Sequence, residues 1–240
     1  MHKYPKIETV YQRDMDGSKK LLDGVFRSYT VCLLSACPLW VAYEKLDGSN
    51  HQIYWDGHTI TLGGRTENSN IPKPVVEYFE NKFNNNETEE LFEQIFGEKP
   101  MVMYFEAIGN KIQTYGKHYG DEPRFVLLDV YNVNNDSWWD YDCGDGNDTL
   151  PNYRSICAMA NALGVECKRK VKAGTIDDII AYVKSKPMSV FTKESDELPM
   201  EGVVALPCLE LKDGNGERII VKIKGCDHCE DWASFMKAYK

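Results

Sequence analysis

Strand and helix signals interleave along this chain without the regular alternation of a parallel α/β fold. In Arg218-Ile-Ile-Val-Lys-Ile-Lys224 the period is two: Ile219, Val221 and Ile223 share one face, and Lys222 and Lys224 the other. β-Prone runs at Trp40 to Lys45, His51 to Trp55 and Thr59 to Leu62 predict further strands. The first is followed by a turn at Asp47-Gly48, and the last two are joined by Asp56-Gly57, a two-residue hairpin signal. Met101 to Ile108, Phe125 to Val133, Gly202 to Leu206 and Leu209 to Lys212 complete the predicted strands, the last pairing with Arg218 to Lys224 around Asp213-Gly-Asn-Gly216. Helices are expected at Lys73 to Phe83, at Glu89 to Phe96 behind Thr88, and at Pro151 to Leu163 closed by Gly164. Two more are expected at Thr175 to Lys184, where Thr175 and Asp178 have capping-box spacing, and at Cys229 to Tyr239. Short neighbouring strands with helices outside them predict antiparallel sheets flanked by helices, an α+β fold.

No repeat or low-complexity linker divides the 240 residues. Asn84-Asn85-Asn86 is a short polar break and Asp140 to Asp148 an acidic, Gly-rich exposed loop, so residues 1–240 are expected to form a single domain. Apolar runs fall short of the roughly 20 residues that cross a membrane, and Met1-His-Lys-Tyr-Pro5 has no apolar signal core, which predicts a cytoplasmic protein with no membrane partner. Eight cysteines scattered along so long a chain fit free thiols in a reducing compartment. Cys226-Asp-His-Cys229 is the one close pair, and a lone CxxC fits incidental thiols better than zinc.

A net charge of −9 excludes a general nucleic-acid coat protein but not an enzyme with a local basic track. Lys168-Arg-Lys-Val-Lys172 is the densest basic cluster; a solvated face is its plainer reading and a substrate-phosphate contact the other.

Lys45 ends a predicted strand and is followed by Leu46-Asp47-Gly48-Ser49-Asn50. A lysine where a strand turns can present its amine to a cleft, with Gly48 letting backbone approach a phosphate and Asn50 supplying amide donors. The amine becomes a nucleophile only without its proton, and nearby cations favour that form. Lys222 and Lys224, side by side on one strand face, could do this and also hold a triphosphate. Glu106 lies inside an apolar strand, and Glu201 begins a strand on which alternation groups it with Val203 and Ala205. Strands are poor places for unpaired acids, so each is an edge-strand charge, a structural ion pair or a ligand to metal or ribose, and carboxylate oxygens suit magnesium.

Lys45-Leu-Asp-Gly-Ser-Asn50 resembles the KxDGxN element of the covalent nucleotidyltransferases, the superfamily of ATP-dependent RNA and DNA ligases and mRNA capping enzymes. Gly64-Arg65, Phe105-Glu106-Ala-Ile-Gly109, Leu128-Asp129, Glu201-Gly-Val-Val204 and Val221-Lys222-Ile-Lys224 match its successive motifs in order. The resemblance implies a nucleotidyltransferase (ATP-grasp-like) domain in which Lys45 attacks the α-phosphate of ATP and holds AMP. It further implies that Glu44 contacts the adenine, Arg65 and Glu106 the ribose side, and Asn50 the phosphate. Asp47, Glu106 and Glu201 would hold magnesium, with manganese able to replace it, and Lys222 and Lys224 would bind phosphates in the transition state. One departure is Leu128, where many members place an aromatic residue to stack on adenine.

DNA ligases and capping enzymes carry an OB domain after the Lys222-Ile-Lys224 strand, but only residues 225–240 follow here, so no OB domain is expected. The resemblance is then to small phage-type ATP-dependent RNA ligases, acting in the host cytoplasm if viral, on RNA ends or a nicked duplex, as a monomer. Such an enzyme joins 5′-phosphate to 3′-hydroxyl through lysyl-AMP and adenylylated RNA. The other readings are a polynucleotide 5′-adenylyltransferase or DNA/RNA nick ligase working with a partner, and a non-catalytic RNA-end binding module.

Overall fold

The computed structural model describes residues 2–66, 69–139, 155–193 and 196–239. The chain forms two compact units, one of Met1–Tyr4 with Gly48–Lys168 and the other of Pro5–Asp47 with Arg169–Lys240. In chain order the strands are β1 (Glu8–Thr9), β2 (Tyr11–Arg13), β3 (Leu21–Phe26), β4 (Trp40–Lys45), β5 (Ser49–Trp55), β6 (Ile60–Gly64) and β7 (Met101–Ile108). There follow β8 (Arg124–Asn132), β9 (Ser137–Trp138), β10 (Glu166–Cys167), β11 (Lys170–Gly174), β12 (Gly202–Pro207) and β13 (Val221–Lys224). The helices are α1 (Tyr29–Leu34), α2 (Lys73–Lys82), α3 (Asn86–Phe96), α4 (Gly116–Tyr119), α5 (Ile156–Ala162), α6 (Ile176–Lys184), α7 (Gly225–His228) and α8 (Trp232–Phe235). Mixed sheets, mostly antiparallel and flanked by helices, make this the expected α+β fold. Among the described residues no helix is long and apolar enough to cross a membrane.

In the first unit the sheet order is β10-β8-β7-β5-β6, with β9 beside β8. Every pairing is antiparallel except β10 with β8. One face buries Ile53, Trp55, Met103, Phe105 and Phe125 against Val75, Phe79 and Phe83 of the α2 region, Phe92 of α3 and Ile156 and Met159 of α5. The β5–β6 hairpin forms, but Trp55 pairs with Ile60, so residues 56–59 make the connection in place of a two-residue turn. Asp56 holds it by accepting from the amides of His58 and Thr59. The N-cap of α3 is Asn85 rather than Thr88: its side chain accepts from the Thr88 amide at 2.9 Å, and the polar break is therefore a helix start. Helix α5 starts from a Ser155 cap; residues 151–154 of the expected helix and the Asp140 to Asp148 stretch lie outside the described residues.

The second unit's main sheet has the order β1-β13-β12-β4-β11. Its pairs are antiparallel except β1 with β13. Trp40 and Ala42 of β4, Val203 and Ala205 of β12 and Val221 and Ile223 of β13 pack on Ile176, Ile179, Ile180 and Val183 of α6, whose Thr175–Asp178 capping box forms as expected. A separate ribbon pairs β2 with β3. Residues 209–212 do not form the expected strand; of that hairpin the turn end remains, with Lys212 bridging Arg218, the Ile219 amide donating to the Leu211 carbonyl at 2.9 Å and the Asp213 amide to the Glu217 carbonyl at 2.8 Å. The reason is that β13 is bonded by β12 on one edge and β1 on the other, which leaves no edge free. The expected Cys229 to Tyr239 helix is reduced to α8 and a 3₁₀ turn at Met236–Tyr239, and the short α7 precedes it. The chain folds back so that Trp232 lies on Gly225, where an added Cβ would stand 2.3 Å from the ring.

Candidate active site

Lys45, Gly202 and Lys224 stand directly opposite one another across β4, β12 and β13. Lying in one cross-strand row, the two lysines face the same side of the sheet. Simple alternation would turn Glu201 toward the buried face with Val203, but Gly202 has φ +155°, a backbone that favours glycine, and a Cβ there would lie 2.2 Å from the Ile223 carbonyl oxygen. Glu201 instead reaches the lysine face. Its Oε2 accepts from Lys45 Nζ at 2.6 Å and its Oε1 from Lys224 Nζ at 2.5 Å, so one carboxylate bridges the candidate nucleophile and a second cation.

Lys222, two pairs further along β13 and on the same face, is partly buried. Its ammonium is destabilised first by desolvation and then by Lys224, with Lys45 adding a smaller push, so its pKa falls below the ordinary lysine range. Lys224 behaves oppositely. Burial pulls its pKa down, but the Glu201 carboxylate outweighs that and raises it. The face therefore carries an electropositive group of lysines tempered by one acid, suited to a polyphosphate chain.

On the other face, in the adjacent row, Glu44 pairs with Val203 and is 3% exposed. Its Oε2 accepts from the Val190 amide at 2.9 Å, and its Oε1 is buried without a partner. Desolvation pushes its pKa up to about 7, opposed by hydrogen bonding from Ser189 and Val190. Because the folded protein holds this proton more tightly than the unfolded chain, Glu44 favours the fold below about pH 4.5 and loses that contribution as pH rises through about 7. At about 1.4 kcal/mol per pKa unit the penalty in alkali is on the order of 3 kcal/mol. The Glu44→Gln variant is therefore expected to gain thermal stability over the parent at pH 8.5 and to lose most of that gain at pH 5, read as Tm at each pH. A gap independent of pH would remove Glu44 as the cause.

Asp47 closes this unit's segment and is half-buried. The remaining expected residues lie in the first unit. Asn50 on β5 pairs with Glu106 on β7, and its amide donates to the Phe105 carbonyl at 3.4 Å. Gly48 packs against that strand: an added Cβ would lie 2.4 Å from the Ala107 oxygen and 2.7 Å from Glu106 Cγ. Arg65 follows β6 and is exposed. His51, buried beside these residues, shares a 2.8 Å hydrogen bond with Ser49, and desolvation holds its pKa down at about 4, which keeps the ring neutral.

The basic cluster divides. Lys168 is buried and pairs with Asp129 at 2.8 Å, which takes it off the solvated face. Arg169 and Lys170 are exposed, and β11 forms the edge of the second unit's sheet. Cys226 and Cys229 are free, and among the described residues no group of three His, Cys, Asp or Glu side chains converges as a metal cage. Residue spacing missed the Ser189–Val190 contact with Glu44, and nothing in that stretch marks it. The turn of Glu201 toward the lysines was readable only through the glycine after it.

A profile of the RNA ligase family matches residues 38–224, from just before β4 to the end of β13. The chain belongs to the RNA ligase family. Among solved structures, Naegleria gruberi RNA ligase is similar. A point mutant of it with ATP and Mn aligns with a TM-score of 0.58 at 12% identity, over 98% of this chain and 60% of that one. The same ligase with PPi aligns with a TM-score of 0.56 at 14% identity, over 98% and 63%. The likeness is one of fold, and this RNA ligase family chain spans less than two thirds of the Naegleria chains. A search of curated proteins found no match to it.

Proposed function

We propose that the chain is an ATP-dependent RNA ligase that joins 5′-phosphate to 3′-hydroxyl RNA ends through a lysyl-AMP on Lys45. The observation that carries this is the row Lys45–Gly202–Lys224 with Glu201 across it: a group of cations suited to phosphates, with a lysine at a strand end placed as a nucleophile, which a binding protein would not need. In the first step Lys45 Nζ, having lost a proton, forms a bond to the α-phosphorus of ATP while the bond to the bridging oxygen breaks and pyrophosphate leaves. The AMP then passes to the RNA 5′-phosphate, and a 3′-hydroxyl displaces it to close the strand.

Lys222 and Lys224 hold phosphate oxygens and neutralise charge as it develops, which is most of what phosphoryl transfer asks of a protein. Asn50 serves the α-phosphate, Arg65 and Glu106 the ribose, and Glu44 the adenine, as the motif order implies. A divalent cation, magnesium or manganese, supplies further charge neutralisation at the phosphates. Asp47, Glu106 and Glu201 are the oxygen donors that would hold it, a donor type that suits either ion.

The test is incubation with α-labelled ATP, magnesium and a 5′-phosphorylated nicked RNA duplex. The expected result is label on the protein in an acid-labile bond, then a joined strand. Accumulation of adenylylated RNA without joining would replace ligation by 5′-adenylyl transfer, and an unlabelled protein would overturn both.

A further inference from the structure

Sheet register sorts the basic run Lys168 to Lys172, which local spacing leaves ambiguous. Residues opposite one another on paired strands share a face, and so do residues two apart on one strand. Lys170 on β11 stands opposite Tyr43 on β4, two residues before Lys45. It is exposed, and it lies on the face that carries Lys45. The same row continues through Val204 of β12 to Lys222 of β13. Trp40 and Ala42, which alternate with Val41 and Tyr43, mark the opposite face by packing in the core with α6. The other members of the run go elsewhere. The Arg169 carbonyl accepts from the Glu44 amide at 3.1 Å, so Arg169 alternates to the far face, and Val171 packs against the core. A bulge between Lys170 and Lys172 then sets Lys172 opposite Ala42. There it adds to the pull of the Thr175 hydrogen bonds that lowers the pKa of Asp178, in the first turn of α6.

We propose that Lys170 holds a backbone phosphate of the RNA strand presented to Lys45, as a substrate-binding residue that takes no part in loading the nucleotide. This rests on the reading of the chain as an RNA ligase. With strands about 4.8 Å apart and about 3.4 Å of rise per residue, the Lys170 backbone stands on the order of 8 Å from that of Lys45. It stands on the side of β4 away from β13. Lys222 and Lys224 already serve the polyphosphate from the β13 side, so the cation on the β11 side is left for an anion that arrives separately. In a chain of net charge −9, exposed cations beside the site decide where a polyanion can approach.

The experiment titrates a fluorescent, 5′-phosphorylated nicked RNA duplex with the protein in the absence of ATP, at several salt concentrations. Labelling by sub-saturating α-labelled ATP is read separately. Lys170→Ala is expected to weaken RNA binding roughly fivefold at low salt and to lower the slope of log affinity against log salt by about one, the share of one phosphate. Its labelling should match the parent's. Lys170→Arg, which keeps the cation, should restore affinity and slope, and Lys172→Ala, from the other face, should leave both unchanged. Because Lys170 is exposed, its variants should melt with the parent. Parental RNA affinity in Lys170→Ala, or an equal loss in Lys172→Ala, would make the run a solvated strand edge and overturn the proposal. Reduced labelling in Lys170→Ala would place this lysine on the nucleotide and overturn it as well. RNA binding is read without ATP, so a parent that takes no label would remove the ligase reading while the RNA affinities still decide the phosphate contact.

Discussion

Replacing Lys45 by alanine is expected to lower labelling of the protein by α-labelled ATP on the order of 10³-fold or more, because no other group replaces a covalent nucleophile. The fold should tolerate the change. Lys45 and Glu201 side chains are 26% and 21% exposed, Lys224 still pairs with Glu201, and part-exposed pairs contribute about 1 kcal/mol or less. Lys45→Arg separates the two roles a lysine could have here. Arginine keeps a cation opposite Glu201, but its guanidinium does not give up a proton, so it cannot attack phosphorus. An arginine variant that labels at a tenth of the parental level would make Lys45 a phosphate-binding cation and move the covalent step elsewhere. Sealing of a pre-adenylylated nick uses no nucleophile on the enzyme, so both variants should retain far more of that reaction than of sealing from ATP.

The elements that bear the candidate site were legible because local pattern and burial agree there. Ile219, Val221 and Ile223 alternate with Lys222, and the buried sheet face took the isoleucines and valine as the period required. The Thr175–Asp178 box and the β5–β7 core strands follow for the same reason. What spacing could not supply was partners distant in the chain. The parallel pairing of β1 with β13, which displaced the expected hairpin, depends on a contact between Glu8 and Val221 that no local pattern announces. Glu201 misled for a different reason: alternation assumes extended backbone throughout, and the positive φ at Gly202 suspends it at that residue. Lys168 misled because a run of basic residues looks solvated, whereas its partner, Asp129, lies 39 positions away and is buried with it.

That buried pair sets the second large effect, and it concerns stability rather than chemistry. Asp129 is 2% exposed and accepts from Lys168 Nζ at 2.8 Å through Oδ1 and from the Tyr4 hydroxyl at 2.6 Å through Oδ2. Tyr4 and Lys168 are the residues at which the chain leaves the first unit, so one carboxylate ties down two of its exits. Asp129→Ala would strand the lysine charge in the interior, and removing one partner of a buried pair typically destabilises by about 3–5 kcal/mol. At about 2–4 °C per kcal/mol for a chain of this size the Tm should fall by roughly 6–20 °C. Lys168→Met leaves the mirror-image problem, an anion without its cation, and should fall similarly. The double variant Asp129→Asn with Lys168→Met removes both charges and keeps a hydrogen-bonding group for Tyr4, so it should recover much of either loss, since neutralising a buried pair is far less harmful than halving it. Additive losses in the double variant would mean the pair is not coupled. Each single variant should still take label from ATP at a temperature where it remains folded, because Asp129 and Lys168 are buried and satisfy one another. Loss of labelling in a folded Lys168→Met protein would instead give this lysine a part in the chemistry and return the basic cluster to the substrate.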